Sequence, residues 1–579
     1  MPTVAGVGAR APFPPDRVTV VRDIEPPRGE SPANRVTFRS SAYAFGRQPI
    51  PTHLGGPYTL SRSALPQPYR GVGSFRHALL SVQLAWLAPF AVAAFVVVAS
   101  PSHLDTAVAA LVGLAVVVLV ARRPDMGLLA LIALLPFHSF FLSWIYALGV
   151  PESIVRPLGA WKEAVAIGVI VAGIRGLRSR GRRLDRLDLL GLAYVAVVAF
   201  YALVPRLFAA SAPTGASERF LAFRASAFLV LLLLAARHAV LPESFARRAL
   251  RLVMAVGIVV AAIAVFEFFF PATWNDFVVN KVKYTVYEIQ VLDVKPFNLF
   301  DIRYYGQVGG QQIVRVGSVF LSPLALGFYI LIPFAVAIDR VVRTGLRGVA
   351  ASCAFLTGAA LLFAQTRAAL IGAVIIGLVA VRPAAGRTAQ RRLQFGLLLV
   401  AAALVALPVA AATGLTGRAT TPVSGDEQSA VDHVQSFWEG AQTVADHPAG
   451  QGLATSAGAG QRFQTQSTVV AENNYLQVGI ELGVFAMVLF IALTVTLLRR
   501  LRAAVEWTVD LGGGAVRAMG LALAIGALFL QPWGDLPTAW TFWSLAGAML
   551  GFAASRAAEP ERSEAERQAA VPPPGVATW

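Results

Sequence analysis

The chain is a succession of long apolar runs, each about twenty residues, joined by short polar connections. A helix of that length matches the thickness of bilayer hydrocarbon, because it rises about 1.5 Å per residue. A helix also satisfies its own backbone hydrogen bonds, which hydrocarbon requires. With 56% hydrophobic residues, 14% charged residues and a mean hydropathy of +0.63, the sequence predicts an all-α, polytopic transmembrane helix bundle rather than a soluble domain.

Hydropathy predicts about fourteen membrane spans. They lie near residues 78–100, 104–121, 126–149, 158–174, 188–205, 220–236, 250–270, 318–339, 348–364, 367–381, 394–412, 475–498, 516–531 and 538–555. The domain organisation that follows is a disordered cytoplasmic tail over 1–75, a transmembrane domain over 76–555 and a second disordered tail over 556–579. We expect no cleavable signal peptide at the N-terminus.

The arginines indicate how these spans are oriented. They cluster after the even-numbered spans: Arg122 and Arg123, six residues from Arg175 to Arg186, Arg247, Arg248 and Arg251, Arg340, Arg343 and Arg347, four from Arg382 to Arg392, and Arg499, Arg500 and Arg502. Short loops rich in arginine remain in the cytoplasm, so both termini are predicted to be cytoplasmic. The same placement explains the net charge of +17 and gives no reason to expect a nucleic-acid partner.

This orientation places two long loops, 271–317 and 413–474, outside the cytoplasm. Long loops on one face of a membrane protein commonly carry function. The second loop contains an apolar face at helical spacing, which predicts an amphipathic helix on the membrane surface or over a cavity. The face consists of Val431, Val434, Phe437, Trp438, Ala441 and Val444. Cys353 is the single cysteine, so neither a disulfide framework nor a cysteine metal cluster is predicted.

Three arginines lie outside the cytoplasmic clusters. Arg315 precedes the span at 318–339, Arg367 opens the span at 367–381, and Arg303 lies in the same loop as Arg315. An arginine at a membrane interface is costly unless it is paired or faces a wet cavity. Its planar fork of donors suits phosphate. The alternative is that these side chains reach lipid headgroups or form ion pairs.

Glu472 begins the segment that leads into the span at 475–498. A carboxylate at the lip of a membrane could act as a general base toward a sugar hydroxyl. It could equally be an acidic residue favoured by the N-terminus of a helix. Asn473 and Asn474 are candidate ligands or N-caps, His447 is a candidate ligand or a turn residue, and the glycines at 450 and 452 could let backbone N–H groups approach an anion.

Lys162 and Glu163 lie in an apolar run early in the fourth span, and Arg224 lies early in the sixth. They could line a cavity or form a structural ion pair. The first outer loop has no closely spaced acidic pair of the kind that binds a divalent cation in membrane glycosyltransferases. No nucleotide-binding glycine-rich loop and no hydrolase triad is evident. We therefore predict no metal and no cofactor.

Three segments, taken in order, carry a resemblance to a known family. They are Arg315-Val316-Gly317-Ser318-Val319-Phe320 with Pro323 and Gly327; Thr366-Arg367-Ala368-Ala369; and His447-Pro448 with Gly450 and Gly452, followed by Glu472-Asn473-Asn474-Tyr475-Leu476 and Glu481-Leu482-Gly483. In order, spacing and membrane placement they resemble the O-antigen ligase / O-antigen polymerase superfamily of bacterial cell-envelope proteins. Trp161-Lys162-Glu163 also looks like a feature of that family.

The resemblance implies a GT-C-like protein of the bacterial inner membrane. It implies a metal-independent, inverting glycosyl transfer on the outer face, with a glycan on undecaprenyl diphosphate as donor and a saccharide or lipid-linked glycan as acceptor. By the same resemblance Arg315 and Arg367 bind the diphosphate, Glu472 is the candidate base, and Arg303, His447, Asn473, Asn474, Tyr475, Gly450 and Gly452 are candidate substrate ligands.

Glu472 departs from the family pattern, because the ligase branch commonly has histidine at that position. The departure favours a polymerase, or a ligase with an acceptor other than the lipid A core. Two other classes stay open: a transporter or flippase for lipid-linked sugars, and a non-catalytic component of an envelope assembly. A transporter typically has repeat-related halves and broken helices near the midplane, whereas here the chemically active residues are predicted to cluster at the outer interface.

Overall fold

The structure is a computed structural model. It describes residues 104–181, 183–204, 215–293, 304–308, 311–381, 428–456 and 471–569. The predicted spans at 78–100 and 394–412, the N-terminal tail and the candidate ligand Arg303 lie outside these residues. All the described residues belong to one compact unit, Val72–Trp579.

The first half of the described chain is helical, with short breaks between its helices. Its helices are α1 (Leu104–Arg122), α2 (Pro124–Leu134), α3 (His138–Ala147), α4 (Glu152–Leu158), α5 (Trp161–Arg180), α6 (Arg186–Leu203), α7 (Ala216–His238) and α8 (Glu243–Phe269). A single 3-10 turn, Leu135–Phe137, joins α2 to α3. Asp185 caps α6 by accepting hydrogen bonds from the backbone N–H groups of Leu187 and Asp188, which satisfies donors that the first turn of a helix leaves open.

The second half contains the two long loops and the remaining helices. These helices are α9 (Pro271–Asp276), α10 (Tyr284–Gln290), α11 (Pro323–Thr344), α12 (Gly348–Ala364), α13 (Arg367–Val381), α14 (Gln428–Asp446), α15 (Asn474–Thr508), α16 (Gly513–Gly526) and α17 (Leu536–Ala569). An antiparallel hairpin of β1 (Tyr304–Val308) and β2 (Gln311–Arg315) lies between α10 and α11, with Tyr304 paired to Arg315. The all-α prediction therefore holds for the bundle and is wrong for this part of the first outer loop.

Within the described ranges, seven helical stretches are long and apolar enough to cross a membrane. They are Pro124–Ala147, Glu152–Arg180, Arg186–Leu203, Ala216–His238, Glu243–Phe269, Pro323–Thr344 and Asn474–Leu511. Shorter apolar helices accompany them at Leu111–Arg122, Gly348–Ala364, Arg367–Ala380 and Gly513–Gly526. The chain is thus a multi-pass membrane protein, and the predicted spans inside the described ranges overlap its helices. The span at 126–149 is divided between α2 and α3, and the span at 516–531 runs past the end of α16 at Gly526.

Small residues bring the central helices close together. A Cβ atom at Gly547 of α17 would lie 2.2 Å from the carbonyl oxygen of Leu233 on α7, and one at Gly551 would lie 2.7 Å from that of Arg237. Close backbone approach of this kind is how helices associate in lipid, where the hydrophobic effect does not drive them together. The buried rings of Trp540 and Trp543 fill the core beside this contact.

The last helix extends beyond the predicted boundary at residue 555. Arg556 of α17 binds Glu243 at the start of α8, with 2.7 Å between Nε and Oε1, and Asp510, with 2.6 Å between Nη1 and Oδ1. These ion pairs attach the charged end of α17 to the bundle, and α17 continues to Ala569. The segment 556–569, whose composition predicts a disordered tail, is therefore helical.

Candidate active site

Arg315 lies at the end of β2, directly against the turn between α12 and α13. Its Nε donates to the carbonyl oxygen of Ala364 over 3.2 Å, and its Nη2 donates to the hydroxyl of Thr366 over 3.3 Å. The Thr366 hydroxyl in turn donates to the carbonyl oxygen of Pro323 over 2.9 Å. Because Arg367 follows Thr366 and opens α13, the two predicted diphosphate ligands belong to one corner of the molecule, which we call the arginine corner (Arg315–Pro323 and Ala364–Arg367).

Glu267, near the end of α8, holds the backbone of this corner. Its buried carboxylate accepts hydrogen bonds from the N–H of Gly317, at 3.2 and 3.1 Å, and from the N–H of Ser318 at 2.6 Å. Ser318 has a positive φ of 50° and is fully buried, so the turn that follows Arg315 is stabilised by charge-assisted hydrogen bonds. Sequence reasoning missed Glu267, although an acidic residue in an apolar run such as Phe266–Phe270 is itself a signal.

The second group of candidate residues forms the turn that precedes α15. Asn473 is the N-cap of this helix, and its Oδ1 accepts from the N–H groups of Tyr475 at 2.8 Å and Leu476 at 3.1 Å. Its Nδ2 donates to the carbonyl oxygen of Leu528 over 2.9 Å. Asn473 thus has the capping role that its position allowed.

Asn474 and Tyr475 attach the same turn to the segment between α16 and α17. The backbone N–H of Asn474 donates to Ala527 O over 3.0 Å, and its Oδ1 accepts from Trp533 N over 3.0 Å. The Tyr475 hydroxyl donates to Ala524 O over 3.0 Å. These contacts give both residues a structural role at the start of α15, and their role as substrate ligands stays a prediction.

Glu472 lies on the other side of this turn and contacts α14. Its carboxylate Oε2 contacts Nδ1 of His433, and its backbone N–H donates to the hydroxyl of Ser436 over 3.2 Å. Both the His433 and the Glu472 side chains are 40% exposed, so the pair lies at the surface of the site rather than inside the bundle. Sequence reasoning missed His433, because it lies thirty-nine positions before Glu472 in the chain and only the packing of α14 brings the two together.

The glycine-rich loop after α14 docks into a break in α15. Gly483 interrupts the helix with a φ of +81°, and the loop donates its N–H groups to the carbonyl oxygens that the break leaves open. Gln451 N donates to Ile480 O over 2.7 Å, and Gly452 N donates to Glu481 O over 3.0 Å. A Cβ at Gly450 would lie 2.5 Å from Gly483 N, so Gly450 permits a close approach of two backbones.

His447 follows the last residue of α14 and begins this loop. Its backbone N–H bonds to Thr443 O over 3.0 Å, and its carbonyl oxygen accepts from Gly450 N over 2.8 Å. Further along this loop, the N–H of Ser456 donates to the carboxylate of Glu481 on α15 over 3.3 Å. The N–H groups of Gln451 and Gly452 are therefore engaged with α15 and that of Gly450 with His447. The predicted contribution of Gly450 and Gly452 to anion binding stays a prediction.

A series of direct contacts joins the arginine corner to the Glu472 turn. A Cβ at Gly327 of α11 would lie 2.9 Å from the Thr366 Cβ, and one at Gly526, the end of α16, would lie 2.9 Å from a ring carbon of Phe328. Ala527, the next residue, accepts the hydrogen bond from Asn474. The predicted catalytic residues Arg315, Arg367 and Glu472 thus occur at the same end of the bundle, which we call the Glu472 end.

A small cavity lies beneath the Glu472 turn. It has a volume of about 30 Å³ and is lined by Tyr194, Ser226, Asn474, Gln477, Glu481 and Trp533, among others. A cavity of this size, with polar side chains in its lining, can hold a water molecule.

The charged residues early in α5 and α7 form a structural cluster. Lys162 Nζ lies 2.8 Å from His138 Nε2 and donates to Gly159 O over 2.6 Å. Arg224 Nη1 donates to Glu163 Oε1 over 2.7 Å. Of the two possibilities that the sequence left open, the structure shows the ion pair.

Helix α14 confirms the predicted helix in the second outer loop but divides its apolar face. Gly440 and Val444 pack against the start of α15, where a Cβ at Gly440 would lie 3.0 Å from that of Ala471. Val434, Phe437 and Trp438 are 60%, 44% and 62% exposed. The helix therefore covers the Glu472 turn with one side and exposes aromatic side chains on another.

Comparison with known protein families gives one match. Residues 352–491 match the family model described as O-antigen ligase. The matched segment contains Arg367, His447, Glu472 and Asn473, and it begins after Arg315. No curated protein matches the chain.

Proposed function

We propose that this chain transfers a glycan from a polyprenyl diphosphate to a hydroxyl acceptor. The premise is that the O-antigen ligase domain at residues 352–491 makes the chain a member of the O-antigen ligase/polymerase superfamily. The transfer takes place at the Glu472 end, on the outer face of the inner membrane. The donor is a glycan on undecaprenyl diphosphate, and the acceptor is a saccharide or a lipid-linked glycan.

The observation that carries this proposal is the contact between Arg315 and Thr366. These residues are 51 positions apart in the chain, yet the contact brings a second arginine, Arg367, to the same corner. Two guanidinium groups at a membrane interface suit a diphosphate, because each offers a planar fork of donors and keeps its charge at all relevant pH values. Their charge would stabilise the negative charge that develops on the departing diphosphate.

The reaction needs a base as well as a site for the leaving group. The acceptor hydroxyl gives up its proton, its oxygen attacks the anomeric carbon, and the bond from that carbon to the diphosphate oxygen breaks with its electron pair. Attack from the face opposite the diphosphate inverts the anomeric configuration. Glu472, half-exposed at the membrane lip, supplies the carboxylate for deprotonation, and no step requires a metal ion.

Glutamate in place of the family's usual histidine bears on the acceptor. We propose a surface-polysaccharide polymerase, or a ligase whose acceptor is not the lipid A core. The exposure of the His433 and Glu472 side chains, 40% each, is in keeping with a bulky glycan acceptor that approaches from outside the bundle.

A transporter of lipid-linked sugars is the second candidate, and the break in α15 at Gly483 is the observation in its favour, because transporters use broken helices near their binding sites. The carbonyl oxygens of Ile480 and Glu481 at this break are already bound by the glycine-rich loop. They are therefore not available to a transported ligand without a rearrangement of that loop.

The test uses purified protein and a defined polyprenyl-diphosphate glycan, with and without EDTA. We expect transfer that survives chelation, and a loss of donor affinity of at least tenfold for Arg315→Ala and for Arg367→Ala. Arg156→Ala is the matched control, because Arg156 is 44% exposed and pairs with Glu152 and Asp293 at the surface. Strict metal dependence, or equal donor affinity for all three variants, contradicts the proposal.

A further inference from the structure

We propose that Glu267 is a positioning residue of the donor site, which fixes the backbone that carries Arg315 and thereby sets the affinity for the diphosphate. This inference rests on the proposed function, in which Arg315 binds the diphosphate, and adds a residue to it. Glu267 lies in the membrane-spanning helix α8 (Glu243–Phe269), outside the segment that matches the O-antigen ligase family.

The first argument is the shape of the backbone that Glu267 binds. Gly317 has φ −117° and ψ −11°, close to the right-handed helical region, and Ser318 has a positive φ of 50°. Two successive residues of this kind turn their N–H groups toward one point and form a concave site for an anion. The Glu267 carboxylate occupies that site, because its Oε2 accepts from Gly317 N over 3.1 Å and from Ser318 N over 2.6 Å. The turn after Arg315 is therefore built around a carboxylate of the protein itself.

The second argument is that this turn needs support from outside. Ser318 is fully buried and is not glycine, yet it has a positive φ. Such a conformation persists only where the surrounding structure fixes it. Two supports come from α8. One is the Glu267 carboxylate, and the other is the carbonyl oxygen of Val260, which accepts from the Ser318 hydroxyl over 2.8 Å.

The third argument is that these contacts begin directly after Arg315. Val316 N donates to the carbonyl oxygen of Phe363 on α12 over 3.4 Å, and the next two N–H groups along the chain are those that Glu267 binds. Phe268, the residue after Glu267, stacks on Phe363 with 3.8 Å between ring centroids and 3° between ring planes. A change in the Glu267 contact would therefore move the backbone of Arg315 relative to the turn between α12 and α13.

The fourth argument is the charge. A carboxylate in a membrane-spanning helix is costly unless it is paired or hydrogen-bonded, and Glu267 is 7% exposed. A glutamine side chain could still accept with its one oxygen. Its amide nitrogen, however, would then direct a donor at Gly317 N, where Oε1 of the glutamate accepts over 3.2 Å. We therefore expect Glu267→Gln to loosen the turn with almost no change in the volume that is packed.

The experiment measures the dissociation constant of a defined polyprenyl-diphosphate glycan for the wild type, Glu267→Gln, Arg315→Ala and the double variant. We expect Glu267→Gln to weaken donor binding at least fivefold, because the guanidinium is no longer held in place for the diphosphate. A residue that supports the fold alone would lower the amount of folded protein, and the dissociation constant of the folded fraction would not change.

The double variant tests whether Glu267 acts through Arg315. Once residue 315 is alanine, no guanidinium is left to position. Glu267→Gln should then weaken donor binding by no more than a further twofold, because two residues that act through one contact are not additive. The losses of two residues that act independently would multiply instead.

Glu243→Gln is the matched control. Glu243 is the first residue of the same helix, at the opposite end from Glu267, and its side chain is 50% exposed. Its donor affinity should stay within twofold of the wild type. Glu267→Asp keeps the charge on a shorter side chain, so it should bind donor less tightly than the wild type and more tightly than Glu267→Gln. The same cycle with Arg315→Ala can use Glu267→Asp if the glutamine variant does not fold.

The outcomes distinguish the role of Glu267 from the function on which it rests. If the wild type binds no donor, or if Arg315→Ala binds donor as tightly as the wild type, the proposed diphosphate site fails and the role of Glu267 fails with it. If Arg315→Ala loses at least tenfold and Glu267→Gln stays within twofold of the wild type, the role of Glu267 alone is overturned. A loss of fivefold or more in the double variant, beyond that of Arg315→Ala, also overturns it.

Discussion

Charged side chains have different surroundings near the two ends of α15. Near its C-terminal end, Arg237 donates to Asp188 over 2.8 Å and to both oxygens of Asp185, over 2.9 and 2.6 Å. Arg500 of α15 lies 3.4 Å from the same Asp185 carboxylate. At the Glu472 end, by contrast, Arg315 donates to a carbonyl and a hydroxyl oxygen, and Glu472 lies half-exposed beside a histidine.

The difference separates charged residues held by several ion pairs inside the bundle from charged residues that lie partly exposed at the Glu472 end. Asp188 is 1% exposed and also lies 3.0 Å from His238 Nε2, so it is surrounded by cationic or potentially cationic partners. A carboxylate bound on several sides holds α6 and α7 together and has no face for a substrate. At the Glu472 end, the side chain of Glu472 is 40% exposed and contacts His433.

The largest stability effect should come from the end that carries Arg237. Asp188→Asn removes the charge that Arg237 faces inside the bundle, and breaking a buried ion pair costs about 3–5 kcal/mol. Thermal unfolding in detergent should show a large drop in melting temperature. Asp510→Asn is the matched control, because the Asp510 side chain is 57% exposed beside Arg556 and such pairs contribute about 1 kcal/mol or less. Equal drops for the two variants would contradict the comparison.

A smaller effect is expected at the docked loop of the Glu472 end. Gly483→Ala places a methyl group 2.5 Å from Pro448 O at a φ of +81°, and a strained backbone of this kind costs about 1–3 kcal/mol. Gly181→Ala has a similar positive φ of +57° but open space around it, so it isolates the conformational cost. The melting temperature of Gly483→Ala should lie below that of Gly181→Ala. A reversed order would mean that the loop does not pack against the break.

The smallest effect is a dependence of stability on pH at Asp185. Its hydrogen bonds with Arg237 lower the pKa of Asp185 below its ordinary value, despite an opposing effect of burial. A folded-state pKa below the unfolded one gives stability that is present above the ordinary carboxyl pKa of about 3.9 and is lost as the pH falls below it. The difference in melting temperature between the wild type and Asp185→Asn should therefore narrow below about pH 4. A difference that stays constant from pH 7 to pH 3 would contradict this assignment.

Sequence alone predicts the parts of this molecule that depend on length and composition. A run such as 250–270 must be helical in a membrane whatever its neighbours are, and α8 occupies it. Motif order likewise points to Arg315 and Arg367, which the structure places at one corner. The strands β1 and β2 are five residues each and depend on pairing with one another, so no periodicity reveals them.

Contacts between distant segments are what the sequence does not provide. Glu267 binds the N–H groups after Arg315, and His433 reaches Glu472 only because α14 packs on the start of α15. Arg556, one residue past the predicted end of the last span, likewise binds Glu243 and Asp510 from other parts of the chain. Each of these residues acts through a tertiary contact, and hydropathy contains no information about which helix lies next to which.

The most direct test of the central claim is a single-turnover comparison of wild type and Glu472→Gln with a bound polyprenyl-diphosphate glycan, with donor affinity measured in parallel. If the Glu472 end is the catalytic site, the variant binds donor within threefold of the wild type, keeps its melting temperature within a few degrees and transfers glycan at least 100-fold more slowly. Transfer at the wild-type rate by a folded Glu472→Gln protein would contradict the account.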